Sequence, residues 1–112
     1  MIDHTIRIIK LKNGEHEKIR KAFRFSDHQY DVVSEFFFTE ADQFKERINE
    51  ILEPIQNGET DEASFAGNKY GFVLFNDSAL IYDQMSEPMI FAQISQDDFF
   101  DLLDEWHNPA SQ

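Results

Sequence analysis

The turn chemistry and the spacing of apolar residues predict an α+β domain, with a largely antiparallel sheet of about five to six strands and two helices packed on one face. Three observations carry the prediction. Asn13-Gly14 separates two runs of mixed polarity, as in a β-hairpin. Asn76-Asp77-Ser78 separates two short runs of β-formers. After Thr39, and again after Ser95, apolar residues recur three and four apart, which is the period of a helix with one buried face. The expected order is ββ-β-α-βββ-α in one domain, residues 1–112.

Taken in order, Thr5 to Lys12 reads as a strand returning through Asn13-Gly14 into Glu15 to Phe25. A turn centred on that dipeptide places Lys12 beside Glu15, Lys10 beside Glu17 and Ile8 opposite Ile19, and it also sets Arg7 against Arg20. A short helix over Glu15 to Phe23 is the competing reading. Tyr30 to Phe38 is rich in β-formers, with Val32, Phe36 and Phe38 on one side and Val33 and Phe37 on the other, and is expected as a central strand. Thr39 is expected to cap a helix with Glu40 and Asp42 in its first turn. Its apolar face is Ala41, Phe44, Ile48, Ile51, Leu52 and Ile55, and Pro54 and Asn57-Gly58 end it. An acidic loop, Gly58 to Glu62, leads to strands at Tyr70 to Phe75, Ala79 to Tyr82 and Met89 to Ile94. Ser95 caps a last helix from Gln96 to about His107, which buries Phe99, Leu102, Leu103 and Trp106 and stops at Asn108-Pro109.

Composition narrows the chemistry. A chain of 112 residues allows one domain, and 41% hydrophobic content with twelve Phe supplies enough apolar surface for a core. The absence of cysteine excludes disulfides, thiolate metal sites and thiol nucleophiles. No apolar run approaches about 18 residues and no signal-peptide core opens the chain, so a cytoplasmic protein is expected, neither secreted nor membrane-spanning. Phosphate-loop, dinucleotide, zinc-protease, nucleophile-elbow and EF-hand motifs are all missing. His4, His16, His28 and His107 include no i, i+4 pair, and residues 70–112 hold no Lys or Arg with which to grip a phosphate. No catalytic residue, cofactor or metal is therefore expected. Phe36-Phe37-Phe38 is flanked by Glu35 and Glu40 rather than by the cations of a base-stacking platform, so it is assigned to the core.

The net charge of −12 has the wrong sign for direct nucleic-acid binding. Its distribution says more than its sum. Residues 1–24 carry seven basic residues against three acids, whereas residues 25–112 carry three against nineteen. On a helical wheel Asp97, Asp98, Asp101, Asp104 and Glu105 fall within an arc of about 120°, opposite Phe99, Leu103 and Trp106, with no Lys or Arg three or four residues away. Asp104 and Glu105 also sit in the last turn, where the helix dipole disfavours anions. Asp42, Glu46 and Glu50 form a similar like-charge row. An ordinary solvent face mixes both signs. A face that keeps this mild repulsion is expected to meet a basic protein partner, and Glu59, Asp61 and Glu62 of the acidic loop are assigned to the same role.

The C-terminal ISQDDFFDLLDEWHN (Ile94 to Asn108), after the runs FVLFNDSALIYD and MIFAQI, resembles the end of many small bacterial immunity proteins of polymorphic-toxin systems, contact-dependent inhibition among them. The likeness covers about the last 40 residues and rests on architecture and charge. It implies an acidic α+β inhibitor that neutralises a cognate toxin domain, often a nuclease, with no cofactor, no membrane and no direct nucleic-acid contact. A monomer is expected, and the basic segment 7–24 departs from a uniformly acidic surface. Three other readings share the same residues: a nucleic-acid mimic that regulates a basic DNA- or RNA-binding protein, a small metal-dependent enzyme, and an adaptor whose charge serves solubility alone.

Overall fold

The structure, a computed structural model, describes residues 2–108. It is an α+β fold with two antiparallel sheets rather than one. β1 (His4–Asn13) and β2 (His16–Phe25) make a two-stranded ribbon. A 3₁₀ turn (His28–Tyr30) leads into α1 (Asp31–Phe36), which continues as a π-helical turn (Phe37–Ala41) and is followed by α2 (Lys45–Gln56). β3 (Ala63–Ala66), β4 (Tyr70–Phe75), β5 (Ser78–Asp83) and β6 (Phe91–Ser95) pair in sequence order as the second sheet. α3 (Gln96–His107) closes the described chain.

The strand expected at Tyr30 to Phe38 is helical. β-propensity reports a fit to a pleated surface and yields to burial pattern. The buried positions Val32, Val33, Phe36, Phe37, Glu40 and Ala41 recur at helical intervals that run through the whole segment. Asp27 starts the turn by accepting the N–H of Gln29 at 3.0 Å. Thr39 is consequently not an N-cap; its hydroxyl bonds back to the carbonyl of Glu35 at 2.8 Å, four residues earlier. The helix expected from Thr39 starts only at Lys45, but Ile48 and Leu52 are buried and Phe44, Ile51 and Ile55 half-buried, on the face that the sequence indicates. Asn57 caps it and Gly58 takes a φ of +76°, the left-handed turn that glycine makes cheaply after a helix.

The ribbon register also differs from expectation. Asn13 faces His16, so the turn is Gly14-Glu15, with Gly14 at φ +65° in its first central position. A type II′ turn needs positive φ only there. The shift by two residues preserves the faces and relieves the expected Arg7–Arg20 opposition, since Arg7 now faces Ala22 and Arg20 faces Ile9. At the other hairpin Asn76 and Asp77 both have positive φ, +47° and +65°, and Phe75 faces Ser78, the geometry of a type I′ turn. β3 has no counterpart in the sequence reading: its four residues are too short to show alternation. Asn108 caps α3 through its N–H on the Asp104 carbonyl at 2.8 Å, while Pro109 lies outside the described residues.

The core lies between α1, α3 and the inner face of the four-stranded sheet. Phe36 meets Phe72 edge-on at 5.7 Å, Phe72 meets Phe99 at 5.1 Å, and Phe37 contacts Trp106 at 5.6 Å. Such pairs add about 0.5–1.5 kcal/mol each beyond the area they bury. The ribbon adds apolar side chains to this core at its base, where Phe23 meets Phe37 edge-on at 5.0 Å and Trp106 at 5.2 Å. No described helix is long and apolar enough to cross a membrane.

Candidate functional site

α3 forms because Ser95 accepts the N–H of Asp98 at 3.0 Å and the N–H of Gln96 reaches the carbonyl of Asp77 at 2.8 Å, which pins the first turn to the β4–β5 hairpin. Phe99, Leu102, Leu103 and Trp106 then fill one side, and Asp97, Asp101 and Asp104 stand in an exposed row on the other. These three carboxylates have no ion pair among the described residues. Asp98 is half-buried beside them.

Glu105, assigned to the same face from its wheel position, is instead turned to the ribbon. Its Oε2 lies 2.7 Å from Nε2 of His4, whose Nδ1 is 2.6 Å from the carbonyl of Ile2. Lys21 adds a second tie, its ammonium over the Trp106 ring at 4.7 Å and donating to the Trp106 carbonyl. A cation at a helix C-terminus answers the exposed carbonyls there. Sequence reasoning missed both ties, because they join residues about eighty to a hundred positions apart.

Glu59, Asp61 and Glu62 are exposed on the loop between α2 and β3, where the Thr60 hydroxyl accepts the N–H of Glu62 at 3.2 Å. The indole of Trp106 donates to Asp42 at 2.9 Å, at the opposite end of α2. A helix of that length spans about 18 Å, so the loop makes a second acidic surface, apart from the C-terminal end of α3.

The ribbon carries the opposite charge. Arg20 stacks over the Phe38 ring at 4.0 Å and donates to the Phe38 carbonyl, which covers part of the outer edge of β2 with the π-helical turn. Beyond that contact the ribbon projects, with Ile8 and Ile19 each 63% exposed between lysines. A shallow cleft, floored by Phe38 and Thr39 and walled by Ile8, Lys18 and Ile19, runs along its base.

A further polar group is enclosed in the core. Glu40, 1% exposed, points its carboxylate at the β3–β4 connection, with Oε2 3.3 Å from the N–H of Lys69 and 3.4 Å from that of Tyr70. Gly67 leaves room for it, since a Cβ there would lie 1.8 Å from the same oxygen. Burial raises the Tyr70 phenol above its ordinary value. Burial also lowers the His107 imidazole, with the nearby Lys45 charge acting in the same direction. The N–H groups of Gln29 lower the Asp27 carboxyl. No group of three or more His, Asp or Glu placed to hold a metal ion occurs among the described residues. The arrangement offers charge and shape: an acidic row without ion pairs among the described residues, on a rigid helix, and a basic ribbon fastened to that helix's end. No family model, no curated protein and no solved structure matches the chain.

Proposed function

We propose that the chain is an immunity protein, an inhibitor that binds and neutralises a cognate toxin domain, with nuclease activity as the favoured kind, through its acidic surface. The observation that carries the reading is the exposed row Asp97, Asp101 and Asp104 on α3, without an ion pair among the described residues and set on a helix whose other side is locked into the aromatic core. Rigid placement matters because preorganised charge speeds association and costs no ordering entropy on binding. A nuclease domain presents the complementary basic surface, since it must itself attract phosphates. The reading places the protein in the cytoplasm of the cell that makes the toxin.

The test is protection and capture in one host. The product of the neighbouring reading frame is expressed with and without this chain, then purified through a tag on the chain. The expected result is toxicity relieved by co-expression and a stoichiometric complex weakened by salt. Replacing Asp97, Asp101 and Asp104 together by Asn is expected to lower the association rate at low salt at least tenfold and leave the fold intact. A complex indifferent to the triple variant removes the site assignment. A neighbour that is harmless and uncaptured removes the function. Capture of many unrelated basic nucleic-acid-binding proteins favours the mimic reading instead.

A further inference from the structure

The outer face of the four-stranded sheet is unlike the rest of the surface. Alternation along the strands sends Phe65, Phe72 and Ile81 into the core, so their neighbours in sequence point out. Every outward position in β3 to β6 is uncharged, in a chain that is 29% charged and carries −12. At the centre Val73, Leu80 and Gln93 lie in one row across the strands, with Tyr82 and Phe91 paired in the next. Tyr82 lies flat over Gly71, where a Cβ would come within 2.8 Å of the phenolic oxygen, so the face has little relief there. Phe91 is 53% exposed, and Met85, Met89 and Ile90 from the β5–β6 loop extend the apolar surface, with Glu87 the acid of that loop. Val73, Leu80 and Tyr82 are half-buried and Phe75 and Phe91 exposed, with Ser64, Ser78, Gln93 and Ser95 as the polar members of the face, and an uncharged surface of this kind is suited to association.

We propose that this face binds a second copy of the chain, sheet to sheet across a two-fold axis. Charge selects the occupant. A two-fold contact must be self-complementary, and any acidic face of the molecule would there meet its own like charges. The sheet face meets itself with no buried charge and leaves the −12 of each copy outside the contact. A basic partner finds nothing on it to pair with. Four strands about 4.8 Å apart and four to six residues long present on the order of 300–400 Å² before side-chain relief and the loop are added. Two copies bury twice that, which with the side chains and the loop comes to on the order of 1,000 Å², the low end of specific interfaces. The proposal is independent of the immunity reading, because it concerns a different face and needs no partner.

Sedimentation equilibrium of the unmodified chain tests it, at protein concentrations from about 1 to 300 µM and at about 20 and 500 mM NaCl. A monomer–dimer equilibrium is expected whose Kd falls severalfold at the higher salt, since salt screens the repulsion between like-charged copies and leaves an uncharged contact alone. Phe91→Lys lowers the net charge and so weakens the repulsion, yet it is expected to raise Kd at least tenfold by placing cations in the contact. Gln93→Lys, at an exposed polar position of the same face, is the second variant should the first lose its native circular dichroism. A chain monomeric throughout the range overturns the proposal, as does a dimer that folded forms of these variants leave unchanged. A dimer that weakens with salt overturns it too, and points to the basic ribbon of one copy against α3 of another.

Discussion

The two sheets are opposite in construction. The ribbon is made of long strands and has little core of its own; it is anchored by Phe23 and Phe25 at its base and by Lys21 and the His4–Glu105 contact at its side. Its exposed isoleucines alternate with lysines, Ile8 facing Lys21 and Ile19 facing Lys10, which keeps an apolar strand surface from meeting its like. The four-stranded sheet has short strands, an inner face filled with aromatic rings, and an outer face from which charge is absent. The comparison teaches that exposed apolar area alone does not make an interface. Spacing with charge neutralises it in the ribbon, and lack of charge leaves it available on the sheet.

The largest test of the contrast is in stability. Phe72→Ala empties a fully buried site among three other rings and is expected to cost about 3–5 kcal/mol. Ile8→Ala and Ile19→Ala at the ribbon are expected to change stability by no more than about 0.5 kcal/mol, by chemical denaturation of all three. A ribbon variant that destabilises like Phe72→Ala breaks the comparison. Of intermediate size is Gly67→Ala, which must displace the buried Glu40 carboxylate and is expected to cost about 1–3 kcal/mol. In a Glu40→Ala background the nearest atom left to the new methyl is the Tyr70 carbonyl oxygen at 3.1 Å, so the same change is expected to cost much less, as a double-mutant cycle measures.

The smallest effect sharpens the picture at the junction of ribbon and helix. His107 titrates below its ordinary value because of burial. As the pH falls below about 6.5 the unfolded chain takes up this proton before the folded one does. Its contribution is therefore unchanged above that pH, and stability falls as acid carries the solution down to the lowered folded value. Thermal melts of His107→Asn against the parent from pH 7.5 to 5 are expected to show a shallower decline in the variant. An identical slope removes the burial argument.

The β4–β5 hairpin and α3 were legible because each signal is local: the Asn76-Asp77 turn residues, the Ser95 cap and the apolar spacing to Trp106 lie within one element. The helical character of residues 31–41 was legible in principle. Val32, Val33, Phe36 and Phe37 keep the helical period, and the β-propensity of the same residues masked it. The division into two sheets, the placement of Glu40 under the β3–β4 connection and the turning of Glu105 toward His4 depend on contacts between distant elements, which no window of sequence contains. For the same reason the acidic row could be drawn on a wheel, whereas the uncharged outer sheet face emerged only when four strands were set side by side.

The fastening of the ribbon has a consequence for biosynthesis. His4 and Lys21 emerge from the ribosome well before their acceptors, which lie 101 and 85 residues further on. Until Trp106 and Glu105 have been made and the last helix has docked, the hairpin lacks both ties, and Phe23, which packs on Trp106 in the folded protein, stays accessible to chaperones and to other nascent chains. The hairpin is therefore made before the helix that secures it.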